Sequence, residues 1–259
     1  MSDIRTFSSK LQRKHLLPFL VPTLVLALIL GITLLIVPKG ELHLMLCQPH
    51  TAWLDQLVPA FTNLVDYAPY ILVVLFLLLR RWVWAAFAAS NLILSTLLAQ
   101  ALKHLVRAPR PLTWFAENMP DIVLPLVEGV KMNKWLSFPS GHTTTFFVMF
   151  FTISIICCAE QVKGNKAISL LCFLLASFGA YTRIYLSQHF AFDIFGGILV
   201  ALSSTLLIYY FFQKIEKKQN FRAKKPKNKE KCSFFAFFSQ NIWSYQKKAV
   251  PLHSLSKRK

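Results

Sequence analysis

Residues 16–37, LLPFLVPTLVLALILGITLLIV, form a run of 22 residues that carries no charged side chain. A bilayer core requires about 20 apolar residues in a helix, and this run is longer than the apolar core of a typical signal peptide. The residues at its end, Val37-Pro38-Lys39-Gly40, lack a small-x-small cleavage pattern. We therefore expect an uncleaved first transmembrane helix.

Further apolar runs occur along the chain, and 55% of the 259 residues are hydrophobic. This apolar content is too high for a soluble domain of this length. The sequence therefore predicts an all-α fold, a six-span transmembrane helical bundle that forms one domain over residues 16–213. The predicted spans are 16–37, 62–79, 82–106, 141–159, 167–187 and 191–212. Two outer segments are not spans: 38–61 is expected to lie along the membrane interface, and 112–138 is expected to form a long loop.

Positive charge assigns the two sides of this bundle. Lysine and arginine are concentrated before the first span, in the Arg80-Arg81 turn, between the fourth and fifth spans, and after the sixth span. Six spans place all four segments on one side, which the positive-inside rule makes cytoplasmic. Residues 1–15 and 214–259 are therefore predicted to be cytoplasmic termini.

The formal net charge of +18 would also fit a nucleic-acid-binding protein, but its location argues against that function. Fourteen of the 29 lysine and arginine residues lie from Lys214 onward, against Glu216 and Glu230. A basic segment directly after a transmembrane helix is typical of contact with anionic lipid. We expect no nucleic-acid partner, and a tail over 214–259 that is disordered or interfacial.

Three polar clusters interrupt the apolar pattern. Lys103 and Arg110-Pro111 end the third span, and Pro139-Ser140-Gly141-His142 opens the fourth. Arg183, His189 and Asp193 lie around the connection between the fifth and sixth spans. The predicted topology places all three clusters on the outer face of the membrane.

Each cluster has a functional and a purely structural interpretation. Ser140 is a natural N-cap, and Gly141 allows close backbone approach, so this helix start could bind an anion or simply be capped. Lys103 and Arg110 could bind phosphate oxygens or snorkel at a helix end. His189 and Asp193 are four residues apart, so on a helix the carboxylate would orient the imidazole, as a reactive or a structural pair.

Together the ordered motifs Lys103…Arg110-Pro111, Pro139-Ser140-Gly141-His142 and Arg183…His189…Asp193 resemble the type 2 phosphatidic acid phosphatase family. That family shares its site with vanadium haloperoxidases. The resemblance covers about residues 60–212, and every motif position is filled. Thr182 stands where the family usually has serine before the arginine.

The resemblance implies a role for each motif residue. His189 would be the nucleophile that forms a phosphohistidine, Asp193 would orient it, and His142 would be the general acid and then the base. The remaining motif residues would bind the phosphate: Lys103, Arg110, Arg183, Ser140 and Gly141. No metal ligand and no cofactor are expected, so activity should persist in EDTA.

The sequence therefore predicts metal-independent dephosphorylation of a membrane lipid at the periplasmic face of a bacterial inner membrane. Lipid A phosphate or undecaprenyl diphosphate is favoured, with phosphatidylglycerol phosphate and phosphatidate as alternatives. Other functions left open are transfer of the phosphoryl group to another acceptor, vanadate-dependent halide oxidation, and a non-catalytic lipid-binding or scaffold role. The sequence indicates no oligomeric state.

Overall fold

The computed structural model describes residues 11–48, 50–64 and 67–224. A 3-10 turn at Arg13–His15 precedes the α-helices of this part of the chain. They are α1 (Leu17–Ile36), α2 (Lys39–Cys47), α3 (Ala52–Leu64), α4 (Tyr67–Arg80), α5 (Trp82–Val106), α6 (Pro111–Asn118), α7 (Gly141–Ala159), α8 (Asn165–Tyr185) and α9 (Ala191–Lys224). The chain divides into two units, Met1–Gln219 and Asn220–Lys259, and the apolar helices all belong to the first unit.

The all-α transmembrane architecture predicted from the sequence is confirmed. Within the described residues, five helices are long and apolar enough to cross a membrane: α1, α5, α7, α8 and the Ala191–Lys214 part of α9. Within the predicted span 62–79, Thr62 belongs to α3, residues 65 and 66 lie outside the described residues, and α4 begins at Tyr67. The 14 described residues of α4 correspond to about 21 Å, whereas a bilayer core is about 30 Å thick. The count of six full-length spans is therefore approximate.

The last helix extends beyond its predicted end at residue 212. α9 continues to Lys224, and its final residues are rich in lysine, glutamate, glutamine and arginine. These residues favour helix in water as well as beside a membrane, so the end of the apolar run does not end the helix. The rest of the predicted disordered or interfacial tail, residues 225–259, lies outside the described residues, as do residues 1–10 of the predicted N-terminal segment.

α7 is the central helix of the bundle. The apolar part of α7 is 78% buried, compared with 17% for that of α1. Phe146, Phe147 and Phe151 of α7 are fully buried, and Phe19 of α1 stacks on Phe151 with ring centroids 4.8 Å apart. Because the motif Pro139-Ser140-Gly141-His142 leads directly into α7, the best-packed helix of the protein supports it.

A buried polar network joins four helices in the membrane. Asn91 of α5 donates from Nδ2 to Thr152 of α7 at 3.1 Å and to Thr205 of α9 at 2.9 Å. The hydroxyl of Tyr70 of α4 lies 3.1 Å from the Thr152 hydroxyl. Interhelical hydrogen bonds satisfy polar groups where water is absent, so this network fixes how α4, α5, α7 and α9 pack.

The two segments predicted to be non-spanning contain helices. The segment 38–61, predicted to lie along the membrane interface, forms α2 and most of α3, which both pack on α8. The segment 112–138, predicted as a long loop, begins within α6 and becomes irregular after Asn118.

The residues before α1 contact the last apolar turns of α9. The Leu11 carbonyl accepts hydrogen bonds from Tyr209 and Gln213 of α9. The chain therefore enters α1 and leaves the apolar part of α9 at the same end.

Candidate active site

The three polar clusters meet at one end of the bundle. Arg110 donates from Nη1 to the carbonyl of Gln188 at 3.4 Å, which joins the first cluster to the third. The backbone N–H of Ser140 donates to the carbonyl of Asp193 at 3.0 Å, which joins the second to the third. The Lys103 ammonium donates to the carbonyl of Leu136 at 2.8 Å, just ahead of the second cluster. The structure thus brings together residues that are up to 90 positions apart in the sequence.

Ser140 caps α7 as the sequence predicts. Its hydroxyl oxygen accepts from the backbone N–H of Thr143 at 3.3 Å and from the Thr143 hydroxyl at 2.9 Å. α7 begins at Gly141, and the peptide bond between Phe138 and Pro139 is cis. The positive end of the helix dipole therefore faces the space between the three clusters.

Two glycines of α9 pack against the residues that lead into α7. A Cβ atom on Gly196 would lie 2.2 Å from the Phe138 ring, and one on Gly197 would lie 2.8 Å from the Ser140 carbonyl oxygen. Real Cβ atoms do not approach other heavy atoms so closely. Because Gly196 and Gly197 have no side chains, the segment that contains Ser140 can pack directly against the backbone of α9.

The Gly197→Ala variant is expected to be less stable than the parent. The added methyl group must displace the Ser140 backbone or the α9 backbone, and overpacking of this kind costs about 1–3 kcal/mol. The measurement is the thermal unfolding midpoint in detergent. Gly31→Ala is the matched control, because its Cβ would meet the Phe195 ring at an ordinary 3.5 Å. Equal midpoints for Gly197→Ala and the parent would contradict the packing argument.

His189 and Asp193 are in contact, but not as two residues on one helix. The Nδ1 atom of His189 lies 3.5 Å from Oδ2 of Asp193. The helix begins only at Ala191, so His189 belongs to the preceding loop and Asp193 to the first helical turn. Asp193 also accepts from the backbone N–H of Phe190 at 2.8 Å. The helix starts where the sixth span was predicted to start, and the pair is formed across that helix start rather than along one helix face.

Ser137 belongs to the same group, although it is not part of any motif considered in the sequence. Its hydroxyl donates to Oδ2 of Asp193 at 2.5 Å and lies 3.5 Å from Nδ1 of His189. The sequence offers only its position three residues before Ser140 as a signal. Ser137 and the Phe190 N–H keep the Asp193 carboxylate hydrogen-bonded while it faces His189.

These groups are removed from solvent. Ser140, His189, Asp193 and Arg183 each expose 4% or less of their surface, and Lys103 exposes 9%. Burial lowers the pKa of His189 to about 3, although Asp193 opposes this shift. Because a lowered pKa means that the ring loses its proton at lower pH, His189 is neutral around pH 7. A neutral imidazole that contacts a carboxylate through one nitrogen has the other available as a base or nucleophile.

A cavity of about 430 Å³ lies next to Gln188, the residue before His189, although neither His189 nor Asp193 lines it. Arg110, His142 and Arg183 line it, together with Pro59 and Thr62 of α3. Its outer wall is the stretch that contains Glu128, Gly129, Val130, Lys131 and Asn133. The volume exceeds what a phosphate group alone would occupy, so a phosphate bound by the arginines could carry a larger substituent.

Gln188 makes hydrogen bonds with the arginines and with the cavity wall, and nothing in the sequence indicated that it belongs to the site. Arg183 donates from Nη2 to the Gln188 side-chain oxygen. The Gln188 amide donates in turn to the carbonyl of Lys131 at 3.0 Å.

Thr182, which stands where the family usually has serine, donates to the carbonyl of Gly179 at 2.6 Å and accepts from Thr62 at 2.9 Å. These bonds order the end of α8 around Arg183.

The predicted cationic residues are thus near one another and near His142. Arg110 and Arg183 line the same cavity as His142, and Lys103 donates to the Leu136 carbonyl just ahead of the segment that carries His142. Among the described residues, no group of three or more histidine, cysteine, aspartate or glutamate side chains could hold a metal ion. These fixed cations can therefore bind an anion. Two imidazoles and one carboxylate lie near them.

Comparisons with known proteins agree with this arrangement. A family model described as the PAP2 superfamily matches residues 82–217, a range that contains all eight predicted site residues. The protein named "Putative undecaprenyl-diphosphatase YbjG" from Escherichia coli (strain K12) is 26% identical over 156 residues, which are 58% of this chain and 69% of that protein. The "Lipid A 4'-phosphatase" of Bacteroides thetaiotaomicron is 25% identical over 173 residues, 64% of this chain and 73% of that protein.

The fold is also similar to a solved structure. The crystal structure of Aquifex aeolicus LpxE matches with a TM-score of 0.54 and 25% sequence identity. The match covers 66% of this chain and 93% of that one.

Proposed function

Because the chain belongs to the PAP2 superfamily and is a membrane lipid phosphatase of that type, we propose that it removes phosphate from lipid A or undecaprenyl diphosphate through a phosphohistidine. The observation that carries the proposal is the buried contact between His189 and Asp193 together with a cavity lined by Arg110, Arg183 and His142. We also propose that this cavity faces the periplasm of a bacterial inner membrane, as the positive-inside rule indicates.

The proposed reaction has two steps. In the first, Nε2 of His189 attacks the phosphorus atom, the bond to the lipid oxygen breaks, and His142 gives its proton to that oxygen. In the second, His142 takes a proton from water, the water oxygen forms a bond to phosphorus, and the bond to His189 breaks. Inorganic phosphate leaves, and both histidines return to their starting protonation states.

The proposed role of Asp193 follows from its contact with Nδ1 of His189. A carboxylate there favours the tautomer that has its proton on Nδ1, which leaves a lone pair on Nε2. It also stabilises the positive charge that the ring gains when Nε2 bonds to phosphorus. Ser137 and the Phe190 N–H support this role by fixing the carboxylate.

Lys103, Arg110 and Arg183 are proposed to bind the three non-bridging phosphate oxygens. Phosphoryl transfer requires stabilisation of charge on these oxygens and in-line placement of the nucleophile. Arginine can bind two oxygens at once, and burial of Arg183 strengthens its electrostatic effect. Ser140 and the N–H of Gly141 would add hydrogen bonds at the start of α7. Three fixed cations can supply this stabilisation without a divalent ion.

The choice of lipid rests on the two relatives and on the cavity. One relative is named for undecaprenyl diphosphate and the other for lipid A. Both lipids carry a second phosphate or a sugar beyond the reacting phosphate, and the cavity offers polar groups from Glu128, Lys131 and Asn133 in that space. Phosphatidate has only a single phosphate at its head, so we expect it to be the poorest substrate of the four.

The test is phosphate release by the detergent-purified full chain in the presence of EDTA. The substrates are undecaprenyl diphosphate, lipid A, phosphatidylglycerol phosphate and phosphatidate, each in the same mixed micelles. We expect release from at least one of the first two lipids at a rate that added Mg²⁺ does not raise. A requirement for divalent cations would overturn the metal-independent mechanism. Release that appears only when a second lipid or a sugar acceptor is added would replace hydrolysis with phosphoryl transfer.

A further inference from the structure

One face of α2 contacts the loop that carries His189. Lys39, His43 and Cys47 are spaced four residues apart, so they lie on the same face of this nine-residue helix. We name this set the clamp face. Lys39 and His43 contact residues of the loop 186–190, which connects α8 to α9, and Cys47 is buried on the same face. α2 lies outside residues 82–217, so the family match does not account for these contacts.

His43 makes the central contact. Its Nε2 atom lies 3.3 Å from the hydroxyl of Ser187, and its ring meets the Phe190 ring edge-on at 5.1 Å. Both His43 and Ser187 are completely buried. Nδ1 of His43 has no hydrogen-bond partner among the described residues. An unpaired acceptor costs less than an unpaired donor, so the favoured tautomer has its proton on Nε2 and donates to Ser187.

The other two residues of the clamp face are Lys39 and Cys47. The ammonium of Lys39 lies 3.9 Å from the centre of the Phe190 ring and 5.2 Å from that of Trp114. The side chain of Cys47 is completely buried on the same face, and its thiol donates to the Leu44 carbonyl within α2 at 3.7 Å. Such cation–π and hydrogen-bond contacts gain strength when they are desolvated.

The loop needs support because its backbone is under constraint. Ser187 has a φ of 49°, which is unusual for a residue other than glycine. The N–H groups of Gln188 and His189 both donate to the single carbonyl of Arg183, at 3.0 and 3.1 Å. A residue other than glycine is strained in this conformation and persists in it only when its surroundings fix it. The clamp face supplies contacts at Ser187, two residues before His189, and at Phe190, directly after it.

We propose that His43 is a positioning residue, which fixes the His189 loop through Ser187 so that His189 faces the substrate phosphorus. The inference rests on the proposed function, since it assigns the nucleophile to His189. His43 does not itself contact the cavity. Burial lowers the pKa of His43 to about 4, so its ring is neutral around pH 7 and can act as a hydrogen-bond donor rather than as a cation.

The decisive variants are His43→Phe, His43→Gln and Ser187→Ala. Phenylalanine keeps an aromatic ring against Phe115 and Phe190 but removes the hydrogen bond. Glutamine keeps an N–H donor near the position of Nε2. A shift of the nucleophile by about 1 Å can reduce turnover by up to about 100-fold. We therefore expect His43→Phe and Ser187→Ala to lower kcat by about tenfold or more at unchanged KM, and His43→Gln to restore most of kcat.

Two further comparisons separate positioning from general stability. The double variant His43→Phe/Ser187→Ala should lose no more turnover than either single variant, because both remove one shared interaction. Met45→Ala is the matched control, since Met45 lies on the same helix and is 67% exposed. It should leave kcat and KM at parental values. A lower unfolding midpoint of His43→Phe with parental kcat would overturn the proposal, as would a change confined to KM.

Backbone hydrogen exchange over residues 186–190 gives a readout that does not depend on activity. His43→Phe and Ser187→Ala should both raise the exchange rate there, and His43→Gln and Met45→Ala should not. If the parent releases no phosphate from any lipid, the proposed function fails and exchange still tests the clamp. An unchanged exchange rate over residues 186–190 in His43→Phe would overturn the positioning role of His43, even if the parent is fully active.

Discussion

Replacement of His189 by alanine is expected to abolish phosphate release. The proposed mechanism forms a covalent bond at Nε2 of this ring, whose Nδ1 contacts Asp193. Loss of a nucleophile that acts together with its partners reduces turnover by about 10⁴-fold or more. The measurement is single-turnover phosphate release from the best lipid of the panel. The cations should remain in place, so lipid binding by the variant should persist.

The matched control for this prediction is His104→Ala. His104 lies near the site-bearing end of α5 but is exposed, and its loss should leave the rate unchanged. Unfolding midpoints of both variants show whether the bundle survives. A His189→Ala variant that keeps even one tenth of the parental rate would eliminate the phosphohistidine and move the nucleophile to water. Acid-labile phosphate on the parent but not on His189→Ala would identify the intermediate directly.

The second large effect is expected for Asp193→Asn. The asparagine side chain has nearly the same shape, and in one orientation its oxygen can still accept from Ser137 and the Phe190 N–H. It no longer carries the charge that stabilises a phosphorylated His189, and in the flipped orientation its amide nitrogen replaces that oxygen and presents a donor to Nδ1. The wrong tautomer of a paired histidine reduces turnover by about 10⁴-fold in comparable arrangements. We expect a loss of about 10³- to 10⁴-fold in kcat with little change in KM.

Asp121→Asn controls for the loss of one negative charge on the same chain. Asp121 is exposed and has no part in the proposed mechanism, so this variant should behave as the parent does. Asp193→Asn should also retain the fold, because Ser140 bonds to the Asp193 carbonyl and not to its side chain. If Asp193→Asn changes KM by as much as kcat, Asp193 acts on lipid binding, and the tautomer argument is wrong.

Much of the candidate site could be predicted because its residues are marked by local chemistry. Charged and polar side chains are rare in a chain this apolar, so Lys103, Arg110, Arg183 and Asp193 stand out. Ser140 before an apolar run predicts a capped helix, and the structure has that cap. The positions of these residues at span ends predicted that they would meet, and the contacts between Arg110 and Gln188 and between Ser140 and Asp193 confirm it.

Other parts of the site carried no local signal. Ser137 and Gln188 are ordinary polar residues in the sequence, and they matter because of the groups that packing places beside them. The same is true of His43, which the sequence placed in a segment predicted to lie along the membrane interface. Its spacing from Lys39 and Cys47 becomes informative only when the loop 186–190 is seen to pack against that face.

The two predicted features that differ in the structure share a cause. Apolar runs predict where a chain enters a membrane, but they do not locate helix ends. Residues 62–64 of the second predicted span belong to α3, and α9 continues through charged residues to Lys224. Helix ends depend on capping and on neighbouring elements, which the hydrophobic pattern does not record.

The amino-acid sequence alone was enough to determine a helical membrane protein and to predict a phosphate-binding set of residues at the ends of its spans. Burial of apolar side chains and the cost of burying charge are local properties, and they can be read along the chain. Tertiary packing was needed to show that Ser137 donates to Asp193, that Gln188 joins Arg183 to the cavity wall, and that α2 contacts the His189 loop. These contacts join segments from 5 to about 150 residues apart, and their geometry is fixed by how whole helices pack, which no local pattern specifies.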